Sequence, residues 1–300
     1  VDARVLPESD DRSIALSRDV TSGKECLPYR DTLGVLLRMA QDGELPRGAR
    51  NLMAGSFGPC RLGKYAQEQQ RILDDLGIEL LIKTTVSNNA YADLGLGSQF
   101  ELRAWRAIVA TDYLQKLLWM VRPYERRPGE ANRAYEDYFA RLLEAARNKR
   151  PFERLLREAV ATFRELRDPA LPRRPLIGIN GEIYLRANRF CNKDLVALCE
   201  ANGLEVEVAP MGEWLKYIAL RTIEDAWANR DLGKLILGGL RKLAMDFNES
   251  RVASWFDEAV HAREPSTREL LATSAAYLPS RCGSEAVLSL GSGIRQMRDP

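Results

Sequence analysis

Five cysteines and one histidine are the side chains that most restrict what chemistry this chain can do. An odd number of cysteines without a secretory signal argues against a disulfide framework and for a reducing compartment. The thiols then read as metal ligands, reactive groups or plain core residues. Cys26 stands in Thr21-Ser22-Gly23-Lys24-Glu25-Cys26-Leu27-Pro28, which reads as a loop between a strand and a helix, with Pro28 suited to the first helical turn. Cys60 stands in Gly55-Ser56-Phe57-Gly58-Pro59-Cys60-Arg61-Leu62-Gly63-Lys64-Tyr65, a strand end and a glycine-rich turn before another helix. Cys282, in Leu278-Pro279-Ser280-Arg281-Cys282-Gly283-Ser284-Glu285, precedes a helix expected from Glu285 to Gly291. A thiol at a helix N-terminus has a lowered pKa, because free N–H groups and the helix dipole favour thiolate, the form that binds metal. Glycines let backbone N–H groups approach a bulky anionic group. No CxxC pair occurs, so the usual ferredoxin and zinc-ribbon signatures are absent.

Cys191 and Cys199 are eight residues apart, roughly 12 Å along a helix axis, too far to share one metal ion. Cys199 reads as core beside Leu195, and Cys191 as a loop residue. His261 sits in the charged helix end Asp257 to Arg263 and reads as an exposed last-turn histidine. A single histidine excludes multi-histidine zinc sites and facial-triad iron sites. Glu182 follows the apolar run Leu176-Ile177-Gly178-Ile179; it is either an acid/base group or a carboxylate capping a neighbouring helix. Lys24 and Arg61 each neighbour a candidate ligand, as charge-balancing groups or surface ion-pair partners. Arg122, Tyr124 and Glu125 end a long helix, where an interlobe structural role is expected.

The elements that must position these groups follow from apolar spacing and from glycine and proline punctuation. Helices are expected over Tyr29 to Gln41 and Leu62 to Leu76, and strands over Asn51 to Ala54 and Ile78 to Val86. Val5-Leu6 reads as a short extended segment. Nearly everything from Phe100 to Leu166 is helical, with breaks at Pro123, Pro128 and Pro151. Pro169, Pro172 and Pro175 mark a linker, which divides the chain into 1–172 and 173–300. Beyond it Leu176 to Ile179 and Leu204 to Val208 read as strands around a helix from Lys193 to Ala201 capped by Asn192, and Met211 onward is mostly helix. Alternating strand and helix implies an α/β fold with a mostly parallel sheet.

Lys and Arg number 44 against 42 Asp and Glu, too even a balance for a nucleic-acid binder. The run Arg122 to Arg127 and the cluster Arg147, Lys149, Arg150 are local; each fits a solvated helix end or a phosphate site. No apolar run reaches the roughly 18–20 residues that span a bilayer, and Val1-Asp2-Ala3-Arg4 has no signal-peptide core, so a cytoplasmic protein is expected. The chain does not begin with Met, which a piece of a longer protein would explain.

Thr21 to Pro28, Gly58 to Tyr65 and Gly181-Glu182-Ile183-Tyr184-Leu185-Arg186-Ala187-Asn188-Arg189-Phe190 together resemble the 2-hydroxyacyl-CoA dehydratase and benzoyl-CoA reductase superfamily, in particular its acyl-CoA dehydratase activase-related branch. Arg122-Pro123-Tyr124-Glu125 also matches that branch, and the resemblance runs from about Asp19 to Gly291. It implies two Rossmann-like lobes with mostly parallel sheets, a helix-rich C-terminal part and an iron–sulfur cluster in the interlobe cleft. The cluster would be a [4Fe–4S] cubane held by three cysteines, or a double cubane, and the matching positions here are Cys26, Cys60 and Cys282. It further implies an ATP-hydrolysing partner that delivers low-potential electrons, a homodimer or related second subunit, and a small-molecule or acyl-CoA substrate. The substrate-side features of the true dehydratases do not stand out. No GxxxxGK phosphate loop occurs, so ATP hydrolysis belongs to the partner. The chain is then expected to be a reductase or dehydratase-like enzyme, or a non-catalytic electron-transfer subunit with the same cluster, or a cluster-free protein with structural cysteines.

Overall fold

The computed structural model describes residues 3–55, 60–85, 95–256, 264–280, 282 and 285–298. In chain order the elements are α1 (Asp11–Asp19), α2 (Leu27–Gln41), β1 (Arg50–Ala54), α3 (Leu62–Asp75), β2 (Leu81–Thr85), α4 (Ser98–Val121), α5 (Glu130–Arg147), α6 (Glu153–Leu166), β3 (Leu176–Ile179), α7 (Ile183–Ala187), α8 (Leu195–Ala201), β4 (Glu205–Val208), α9 (Met211–Ala228), α10 (Leu232–Ala253), α11 (Thr267–Ser274) and α12 (Ala286–Arg298). Two compact units result. The first is 1–97 with 184–194; the second is 98–183 with 195–300. The proline-rich stretch 169–175 lies inside the second unit.

The expectation of two Rossmann-like lobes with mostly parallel sheets is not met. The described residues are 62% helical. Their strands form two separate pairs, β1 with β2 and β3 with β4, both parallel. Each pair has a helical crossover between its strands, but no further strand among the described residues extends it. The physical reason is in the spacing. Alternation of strand and helix holds over Asn51 to Thr85 and Leu176 to Val208, whereas apolar residues from Ser98 to Leu166 and beyond Met211 recur at helical intervals.

A two-stranded sheet is marginal by itself, so each pair depends on helices. In the first unit α2 and α3 bury Leu33, Leu36, Ile72 and Leu73 against Met53 and Ile82 of the strands. Only alternate residues of β1, Asn51 and Met53, turn inward, as the period of two requires. An unexpected helix, α1, precedes α2. Its start is fixed by a capping box in which Asp10 accepts from Ser13 N–H at 2.7 Å. Ser13 and Ser17 bury its small-residue face, and a Cβ on Gly34 of α2 would lie 2.0 Å from the Ser13 carbonyl oxygen. In the second unit α4 is the central helix. Val109, Leu114 and Leu117 pack with Leu142 of α5, Leu156 and Phe163 of α6 and Phe256 beyond α10. A smaller core joins α9, α11 and α12 through Leu220, Leu270 and Val287.

Candidate functional site

In the first unit the Cys26 loop connects α1 to α2, two helices, rather than a strand to a helix. Glu25 holds this loop together: its carboxylate accepts from the Ser22 N–H at 3.0 Å, the Ser22 hydroxyl at 2.8 Å and the Gly23 N–H at 2.9 Å. The Ser22 N–H above all holds the Glu25 pKa down to about 2. Cys26 is the residue before the first turn of α2, with extended backbone, and its side chain makes no capping hydrogen bond. Its carbonyl accepts from the Tyr29 and Arg30 N–H groups. The thiol is half-buried against the core of the unit. Pro28 occupies the first turn of α2, where a missing N–H costs nothing.

Cys60 stands one residue before Arg61, the N-cap of α3, and is exposed. The intervening Ser56 to Pro59 lie outside the described residues. Arg61 Nη1 donates to the Lys24 carbonyl oxygen at 3.0 Å. That bond ties the start of α3 to the loop carrying Cys26, so two free thiols at two helix starts share one neighbourhood. Arg61 thus acts through its guanidinium on the backbone of the opposite loop.

The same unit includes 184–194, the end of the third motif. Its partner is Asp31, which is fully buried in α2. Asp31 Oδ2 accepts from the Ser9 hydroxyl at 2.7 Å, the Tyr184 hydroxyl at 2.5 Å and, at 3.5 Å, Asn188 Nδ2. Burial above all, then the bond to Asp31, drives the Tyr184 phenol pKa far up. Asp31 Oδ1 has no hydrogen-bond partner among the described residues. Cys191 follows on this segment, half-buried, its N–H donating to Asn188 Oδ1 at 2.9 Å. Sequence reading passed over Asp31. Asp31 stands one turn into α2 on the face that carries Gly34 and Val35, away from the Leu33 and Leu37 stripe, so apolar spacing did not mark it.

In the second unit Glu285 ties the residue after Glu182 to the stretch of chain that follows Cys282. Glu285 Oε2 accepts from the Ile183 N–H at 3.1 Å, next to Glu182, and lies three residues beyond Cys282. Glu182 itself is exposed. Cys282 is half-buried beside the small core of α9, α11 and α12, its N–H donating to the Pro279 carbonyl at 2.8 Å. Arg281, Gly283 and Ser284 lie outside the described residues, as does His261.

Several local expectations are corrected. Asn192 does not cap a helix from Lys193. Lys193 and Asp194 have φ of 56° and 51°, left-handed values that delay α8 to Leu195, and Asn192 Nδ2 instead donates to the Leu185 and Arg186 carbonyls at 3.1 Å. Cys199 is not a core residue, because α8 buries no residue and Cys199 is half-buried. Arg122, Pro123 and Tyr124 form a 3-10 turn inside the second unit. Arg122 grips Glu200 through Nε at 2.7 Å and Nη2 at 3.0 Å. The Tyr124 hydroxyl donates to Glu205 Oε2 at 2.6 Å and accepts from the Arg174 N–H at 2.8 Å. Glu125 accepts from the Gly129 and Ala131 N–H groups and so caps α5. The motif fastens α8 and β4 to the helices of its own unit.

Among the described residues no three His, Cys, Asp or Glu side chains are grouped so as to hold a metal ion. Two thiols at helix starts are chemically apt as ligands, and a cubane needs at least one more. No described helix is long and apolar enough to cross a membrane. No protein-family model, curated protein or solved structure matches the chain.

Proposed function

We propose that this chain is an iron–sulfur protein that supports ATP-coupled, low-potential electron transfer, with Cys26 and Cys60 as cluster ligands. The observation that carries the reading is the Arg61–Lys24 bond, which joins two cysteine-bearing helix starts within one unit. Helix N-termini stabilise thiolate, and neither Cys26 nor Cys60 is committed to a disulfide. The third ligand comes from the motif resemblance, which puts it at Cys282. When bound, the cluster supplies one-electron chemistry at low potential. Lys24 and Arg61 place positive charge beside it. Glu182, exposed and tied through Ile183 and Glu285 to the Cys282 loop, is the nearest candidate for an acid/base role toward a substrate. The electron source in this reading is a separate ATP-hydrolysing component, and the acceptor is a small molecule or an acyl-CoA.

Anaerobic purification followed by iron and sulfide analysis tests the reading. The folded chain is expected to be brown. Cys26→Ser, Cys60→Ser and Cys282→Ser should each abolish the visible absorbance, and Cys199→Ser should keep it. A folded chain that stays colourless after anaerobic reconstitution refutes the proposal. Loss of the chromophore in Cys191→Ser but not in Cys282→Ser would move the third ligand into the first unit. Turnover with reductant, ATP and the partner, abolished by Glu182→Gln with the cluster intact, separates an enzyme from an electron-transfer subunit.

A further inference from the structure

Cations from two helices and one turn surround a small cavity in the second unit. Its volume is about 230 Å3. Arg103 and Arg106 reach it from α4, Lys149 and Arg150 from the turn after α5, and Arg251 from α10. The single carboxylate in its wall is Glu153, which is already engaged by Arg157 at 3.2 Å and Arg251 at 3.9 Å. Lys149 and Arg150 have no acidic partner among the described residues. Arg106 is held in place from behind, because its Nε donates to Asn248 Oδ1, and Asn248 is buried. Among the described residues Arg103 bonds Gln99, at 3.3 Å.

Five like charges lining one concavity repel one another, and an anion relieves that repulsion. The first turn of α6 also starts in this wall, at Phe152 and Glu153, adding N–H groups and the positive end of a dipole. Guanidinium forks and an ammonium are the donors that recognise phosphate oxygens. Pockets for drug-sized ligands run from about 300 Å3 upward, so this one suits a single tetrahedral anion rather than a whole cofactor. The surplus of cations favours a dianion over a monoanion. We propose that this cavity binds the terminal phosphate of a small phosphorylated molecule, that is, a phosphate monoester. The site is independent of the cysteines and of the electron-transfer reading.

The experiment is calorimetric titration of the full chain with inorganic phosphate, phenyl phosphate and dimethyl phosphate. Phosphate and phenyl phosphate should bind one to one, and more weakly as salt is added. Dimethyl phosphate, a monoanionic diester, should bind at least about tenfold more weakly. Arg150→Gln and Lys149→Gly should each weaken phosphate about tenfold, the loss of one charge-assisted contact. Lys149 has φ of 59°, a left-handed value. Glycine adopts it without strain, so Lys149→Gly should keep or raise the melting temperature while losing affinity. That split separates binding from folding. Arg154→Gln, at a side chain 94% exposed and outside the cavity, should leave affinity unchanged. Absence of phosphate binding by the folded chain, unchanged affinity in the Lys149 and Arg150 variants, or dimethyl phosphate binding as tightly as phosphate would overturn the assignment.

Discussion

Asp31 is the residue on which the first unit most depends. Its buried carboxylate oxygen collects three donors from two distant stretches of chain. Asp31→Leu would leave the Ser9 and Tyr184 hydroxyls without this acceptor, each unsatisfied polar group costing about 1–3 kcal/mol. A total loss of about 3 kcal/mol is expected, measured as a lower midpoint in urea. Tyr29, three residues beyond Cys26, gives a pH signature. Burial above all, then Glu68 and Glu25, pushes its phenol up to about 12. The fold therefore prefers the neutral phenol. Its contribution is complete below the ordinary tyrosine pKa of about 10 and is lost as pH rises from there to about 12. Alkaline denaturation followed by tyrosinate absorbance should show this loss, and Tyr29→Phe should flatten the curve over that window. These residue-scale features were partly legible. The cysteines and their helix-start positions could be read from glycine and proline punctuation; the acceptor role of Asp31 could not, because its donors come from positions 9, 184 and 188.

At the scale of elements, close helix approach decides which substitutions the fold rejects. Gly34→Ala would place a methyl 2.0 Å from the Ser13 carbonyl and force α1 away from α2. Overpacking of this kind costs about 1–3 kcal/mol, and calorimetric melting would read it. Tyr124→Phe removes a donor to Glu205 and an acceptor for the Arg174 N–H, with an expected loss of about 1–2 kcal/mol in chemical denaturation. Most elements were legible. α2, β1, α3, β3 and β4 fall within a few residues of their expected bounds, because apolar spacing and flanking glycines are local signals. α1 was missed although Asp10 and Ser13 form a capping box, a pattern weaker to the eye than an apolar stripe. The start of α8 was misplaced because left-handed Lys193 and Asp194 have no marked sequence signature.

At the scale of the molecule, the division into units is not a division of the sequence. The first unit needs 184–194, which the chain reaches only after α4, α5, α6 and β3. A 1–97 fragment therefore lacks Tyr184 and Asn188, two of the three donors to Asp31. Asp31→Leu should be neutral or stabilising in that fragment and destabilising in the full chain, a reversal that paired urea denaturation curves would show. Composition and periodicity by themselves determined the balanced charge and the places of most helices and of the four short strands, because these depend on residue type and near neighbours. Only the tertiary structure decided that the parallel strands stop at two per sheet. It also tied Arg61 to the Lys24 carbonyl and Ile183 to Glu285, and made one cationic cavity from Arg103, Arg106, Lys149, Arg150 and Arg251. The physical reason is common to all of these. Each rests on a hydrogen bond, a strand pairing or a charge cluster between residues far apart in sequence, and their cost in chain entropy is met only when whole helices pack.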